Sequence, residues 1–101
     1  KLNMFTLLKK QYKVILLYNC DVELGEFQLF ALKFFQFLYR LGAKNIMINL
    51  IGEGKLAYSI KGQETAQFVE IKLSISPKGI NKFIDFLNLD QNILRYYTLK
   101  I

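Results

Sequence analysis

Histidine is absent from this 101-residue sequence, and cysteine occurs once. Without histidine the chain lacks the usual general base near neutral pH and the commonest side-chain metal ligand. A lone Cys20 permits no internal disulfide and no cysteine-based metal cluster. Long apolar runs are missing too. Lys33, Gln36 and Arg40 interrupt the richest stretch before it approaches the ~20 residues a bilayer span needs. Acidic residues are scarce: eight Asp and Glu stand against fourteen Lys and Arg, for a formal net charge of +6. These shortages argue against histidine, thiol or metal catalysis, a cofactor and a membrane span. They favour an anionic partner, either nucleic acid or an acidic protein.

What is present is apolar. The hydrophobic share of 52% is high for a soluble chain of this length, which implies one two-layer core and some apolar surface intended for a partner. One domain is expected over residues 12–101, preceded by an N-terminal extension over residues 1–11. The chain begins without Met, which points to a trimmed or processed start. Twelve of the fourteen cations are Lys, and Asn, Ile and Phe are abundant. That bias suggests an AT-rich coding sequence, in an organelle or an AT-rich nuclear genome.

Periodicity divides the chain into six elements. Tyr12 to Tyr18 reads as a strand that stops at Asn19-Cys20-Asp21, a helix N-cap neighbourhood. Leu24, Phe27, Ala31, Phe34, Leu38 and Leu41 then repeat at spacings of three and four, the buried stripe of a helix closed by Gly42. Leu29 and Phe37 fall beside or inside its polar stripe, where solvent is expected, and are candidates for a partner contact. Asn45 to Ile51 reads as a second strand, broken by a bulge or bend at Gly52-Glu53-Gly54 and resumed to Ile60. After a turn at Lys61-Gly62-Gln63-Glu64, Val69, Ile71, Leu73 and Ile75 alternate with polar residues as a half-buried strand. Ser76-Pro77 opens a second helix with the stripe Ile80, Phe83, Ile84 and Leu87, and Ile93 to Ile101 forms the last strand. The order is βαββαβ. It predicts an α+β, ferredoxin-like fold in which two helices cover one face of a four-stranded antiparallel sheet.

No catalytic constellation emerges from the motifs. Gly52-x-Gly54-Lys55 lacks the longer glycine spacing and the Ser or Thr of a phosphate-cradling P-loop, so a structural bend is the better account. Asp21, Glu23 and Glu26 open a helix, where capping and macrodipole roles outweigh a metal site. Cys20 beside that helix has no resolving partner and reads as a small buried filler. An RNA-recognition signature on the third strand is absent: Phe68 is a weak stacking platform, and Glu70 two residues on would repel phosphate. The terminal strand is different, because it carries Arg95 and Lys100 in a segment that otherwise reads as sheet core. Fixed cations there suit phosphate contacts that position a protein without reading sequence.

Several segments, taken in order, resemble a known family. They are Tyr12-Lys-Val14, Leu41-Gly-Ala-Lys44, Gly54-Lys-Leu-Ala-Tyr-Ser-Ile60, Pro77 and Asn92-Ile-Leu-Arg-Tyr-Tyr-Thr-Leu-Lys100. Over about residues 10 to 101 the chain is similar to the bacterial-type small-subunit ribosomal protein six family. The resemblance implies no catalysis and a place on the platform of the small subunit, paired with ribosomal protein eighteen on central-domain small-subunit rRNA. It implies rRNA contacts at Lys55, Arg95 and Lys100, with Lys9 and Lys10 near the family's basic pair. Ser59 stands where the family has Pro, and Gln67 where it has Gly. The chain stops at Ile101, where members often carry a longer tail along the partner protein.

The expected function is therefore structural, in an organellar ribosome, mitochondrial first and plastid second. Leu29, Phe37 and Phe68 are the expected protein-partner surface, and the apolar first helix could meet an additional organelle-specific ribosomal protein. The rival reading is a small ferredoxin-like regulatory or ligand-binding module that dimerises through its sheet.

Overall fold

The computed structural model describes residues 10–21 and 23–101. Residues 1–9 of the expected extension, Lys9 among them, lie outside the described residues, as do Val22 and the side chain of Leu24. Six elements follow in the expected order: β1 (Lys10–Tyr18), α1 (Leu24–Arg40), β2 (Lys44–Ile60), β3 (Gln63–Ile75), α2 (Pro77–Asn88) and β4 (Ile93–Lys100). The strands form one antiparallel sheet in the order β2-β3-β1-β4. Both helices pack on the same face, which is the ferredoxin-like arrangement. β1 begins at Lys10 because β3 runs far enough to give Lys10 and Gln11 partners in Ile75 and Ser74.

The core forms where the two periodicities meet. Val14 and Leu16 of β1 and Val69, Ile71 and Ile75 of β3 are fully shielded against Phe34 and Leu38 of α1 and Phe83 of α2. Ile84, expected in the same core, is only partly buried at its margin. Phe30, which the helical stripe did not include, is buried edge-on to Phe34 with ring centroids 4.9 Å apart. α2 starts as its sequence predicts, the Ser76 hydroxyl accepting from the Gly79 backbone N–H at 3.1 Å. α1 does not receive such a cap. Glu23 occupies the N-cap with no side-chain hydrogen bond, and Asn19 Oδ1 instead accepts from the Asp21 N–H at 2.9 Å in a local turn.

Of the two alternatives at Gly52-Glu53-Gly54 the structure takes the bulge, and β2 runs on as a single 17-residue strand. The glycines do not stop it: Gly52, at φ +126, absorbs a register shift as a bulge. Past that bulge the β2–β3 hairpin turns at Lys61 and Gly62, both at positive φ. It then crosses the helix-free face as an arm. Lys61 Nζ donates to the Ile93 carbonyl of β4 at 3.3 Å. Beneath the arm Leu17, Ile60, Ala66 and Leu94 form a second small core, with Leu56 and Phe68 packed on it.

Candidate nucleic-acid interface

Register decides which cations can act together. Arg95 lies opposite Leu17, on the helix-free face, whereas Lys100 lies opposite Tyr12, whose side chain belongs to the helix-side core. Five residues apart on one strand, the two point to opposite faces at roughly 16 Å along it. Lys10, opposite the shielded Ile75, shares the helix side and the same sheet end with Lys100. The terminal strand therefore carries two separate contacts rather than one.

The topology also sorts charge along the sheet. Lys10, Lys100, Lys44 at the start of β2, Arg40 at the end of α1 and Lys78 in the first turn of α2 all occupy one end. Asp21, Glu23 and Glu26 at the start of α1 and Asp90 after α2 occupy the other. On the helix-free face the carboxylates Glu64 and Glu70 lie among the described cations Lys13, Lys72 and Arg95. Lys13 Nζ reaches Glu70 at 3.0 Å, and that hydrogen-bonded ammonium holds the carboxyl below its usual pKa.

A cluster forms where the arm meets β4. Arg95 Nη1 donates to the Tyr58 hydroxyl at 3.2 Å, and the guanidinium carbon lies 5.9 Å from the Tyr58 ring centroid. The Tyr58 hydroxyl, then that of Tyr97, raises the guanidinium pKa further above its ordinary value. Lys55, Tyr58, Phe68 and Tyr97 line a groove of about 220 Å³ over Ile15 and Leu17. The structure thus brings Arg95 and Phe68, which were assigned to two different surfaces, to one face, sets Lys55 opposite Thr65 on the other face of the arm, and keeps Lys10 and Lys100 apart from them. The signal for Tyr58 and Tyr97 was present, since both stand in the quoted motifs, but neither was singled out.

The proposed partner residues separate as well. Leu29 is 61% exposed. Phe37 does not face open solvent: it stacks on Phe86 of α2, with centroids 4.6 Å apart and planes at 16°. The outward apolar positions of α1 are instead Leu32, Phe35 and Tyr39. Phe68 lies across Gly54, where an added Cβ would sit 2.9 Å from the ring. The Gly52-x-Gly54-Lys55 segment is consequently extended strand over an aromatic ring and not a phosphate-binding loop. Among the described residues no group of three His, Cys, Asp or Glu is placed to hold a metal ion. No helix among them is long and apolar enough to cross a membrane.

A family profile described as ribosomal protein S6 matches residues 11–100. The chain belongs to the ribosomal protein S6 family. It is a small-subunit ribosomal protein, a structural component and not an enzyme. It is 29% identical over 90 residues to small ribosomal subunit protein bS6c of Trieres chinensis, covering 89% of this chain and 94% of that one. A second bS6c, from Porphyra purpurea, is 37% identical over 59 residues, covering 58% of this chain and 53% of its own. Among solved structures, ribosomal protein S6 of Thermotoga maritima matches with a TM-score of 0.84 at 18% identity, over 92% of this chain and 88% of that one. A putative PII-like signalling protein of Thermus thermophilus shares the fold more loosely, at a TM-score of 0.56 and 16% identity over 93% of this chain and 88% of its own. The fold is thus common to S6 and to a signalling protein. S6 family membership is what sets aside the regulatory-module reading.

Proposed function

We propose that this S6 protein works in an organellar small subunit, on its platform, binding central-domain rRNA together with ribosomal protein eighteen. The observation that carries the reading is the segregation of charge. Cations from five different elements converge on one end of the sheet, and four of the eight acids lie at the other, so a polyanion meets one end of the molecule favourably. Lys10 and Lys100 act there as phosphate contacts, and Lys9 joins them by its place in the sequence. Arg95 forms the second contact, on the helix-free face, and Lys55 a third on the other face of the arm. Leu29 and the apolar outer side of α1 serve the protein partner and any additional organelle-specific ribosomal protein, with Phe37 and Phe68 acting from partly buried positions. The bS6c relatives favour a plastid ribosome over a mitochondrial one, which reverses the expected order.

The test is sucrose-gradient fractionation of organelles that carry the tagged chain, followed by crosslinking to rRNA. Sedimentation with the small subunit of plastid ribosomes, with crosslinks to central-domain rRNA, is the expected result. Co-sedimentation with the mitochondrial subunit, or crosslinks confined to another rRNA domain, would contradict it.

A further inference from the structure

The helix-free face carries more than phosphate-binding charge. Tyr58 and Tyr97 are 64% and 48% exposed, although both stand on rigid strands with Arg95 between them. Exposed aromatic rings beside a guanidinium are the elements of a base-stacking platform. The objection raised by the β3 sequence, a carboxylate near Phe68, does not hold in the folded protein, because Lys13 pairs Glu70 at 3.0 Å. What remains on this face is net cationic, which suits a nucleic acid better than an acid-poor protein surface. Bases inside an A-form duplex are stacked and unavailable to side-chain rings, so only an unpaired nucleotide could use these tyrosines.

We propose that Tyr58, Arg95 and Tyr97 form a seat for one unpaired RNA nucleotide, its base stacked on a tyrosine ring and its phosphate held by Arg95. Arg95 already packs on the Tyr58 ring at 5.9 Å and holds its hydroxyl at 3.2 Å, so the platform is assembled before RNA arrives. The groove of about 220 Å³ between the arm and β4 leaves one side of the cluster open. The seat deepens, and rests on, the reading of this chain as an rRNA-binding protein.

The test uses the full chain with two RNAs, a short single-stranded oligouridine and a blunt duplex of equal length. It compares Tyr97→Leu, Tyr97→Phe and Tyr58→Leu with the unaltered protein. Each variant is first checked for an unchanged circular dichroism spectrum. Loss of one stacking ring should weaken oligouridine binding by about 5- to 100-fold, while Tyr97→Phe, which keeps a ring, stays close to the unaltered protein. Duplex binding should change little in any variant. Equal losses on both RNAs, no loss in either Leu variant, or no measurable oligouridine binding by the unaltered chain would each overturn the seat. Crosslinking of Tyr58 or Tyr97 to a protein in assembled subunits would overturn it in favour of a protein contact. These failures leave the rRNA reading intact if the chain still enters subunits and crosslinks to rRNA. A chain that does neither removes that broader reading first.

Discussion

Arg95 and Tyr58 stand 37 residues apart in sequence, yet the guanidinium donates to the phenol oxygen at 3.2 Å. The bond ties the β2–β3 arm to the sheet edge opposite β2, and it fixes the direction of a cation that a free strand residue would leave mobile. Arginine's planar fork keeps further donors available for an anion.

Arg95→Ala should therefore reduce incorporation into subunits more than Lys33→Ala, since Lys33 projects from the exposed side of α1. Stability should hardly separate the two: both residues are exposed, and surface changes usually fall within ~0.5 kcal/mol. In RNA titrations Arg95→Ala should lower the slope of log affinity against log salt by about one. Equal incorporation of both variants, or a defect in Arg95→Ala that tracks its melting temperature, would remove the assembly role.

Much of this arrangement can be read in the residues themselves. The alternation from Val69 to Ile75 and the Ser76-Pro77 helix start are local signals, and each appears in the structure as its period requires. The opposed directions of Arg95 and Lys100 were also available, because an odd separation on a strand always means opposite faces. The arm was not. Leu17 alternates onto what ought to be a wet face, and the residues that bury it, Leu56, Ile60 and Phe68, lie about forty to fifty positions later. No local period reports such a crossing. Phe37 illustrates the same point, since its helical angle places it beside polar residues and only the position of Phe86 on α2 explains its stacking.

Phe34 tests the main core. It is wholly shielded, edge-on to Phe30 at 4.9 Å and 6.2 Å from Phe83. Phe34→Ala should cost ~3–5 kcal/mol, as a buried aromatic truncation does, measured by urea denaturation. A loss below ~1 kcal/mol would mean that α1 does not pack as described, since an exposed substitution rarely exceeds that.

Gly54 tests the arm. Its missing side chain admits the Phe68 ring, and a Cβ would approach Cε1 to 2.9 Å and Cδ1 to 3.3 Å. Gly54→Ala should destabilise by ~1–3 kcal/mol through overpacking. In combination with Phe68→Leu the cost should be smaller than the sum of the single changes, because the shorter side chain vacates the space. Strict additivity in that double-mutant cycle would place the two residues out of contact.

Tyr18 gives the fold a pH limit at the alkaline end. It closes β1 against α1, edge-on to Phe27 at 5.1 Å and tilted against Phe30 at 5.0 Å. Burial, and after it the charges of Asp90 and Glu26, push its phenol from an ordinary 10.0 up to about 12 against the opposing effect of a hydrogen bond to Asn92. A pKa higher in the folded than in the unfolded chain means that the neutral phenol favours folding. Its contribution is complete below about pH 10 and disappears as pH rises through about 12. Unfolding free energy should accordingly fall between those two values, and Tyr18→Phe, which has no ionisable group, should lose less over the same interval. Tyrosinate absorbance should show one late-titrating phenol in the unaltered protein that is missing from the variant. If the two proteins lose stability in parallel from pH 10 to 12, the alkaline limit belongs to other groups, with the remaining tyrosines and the lysines the first to examine.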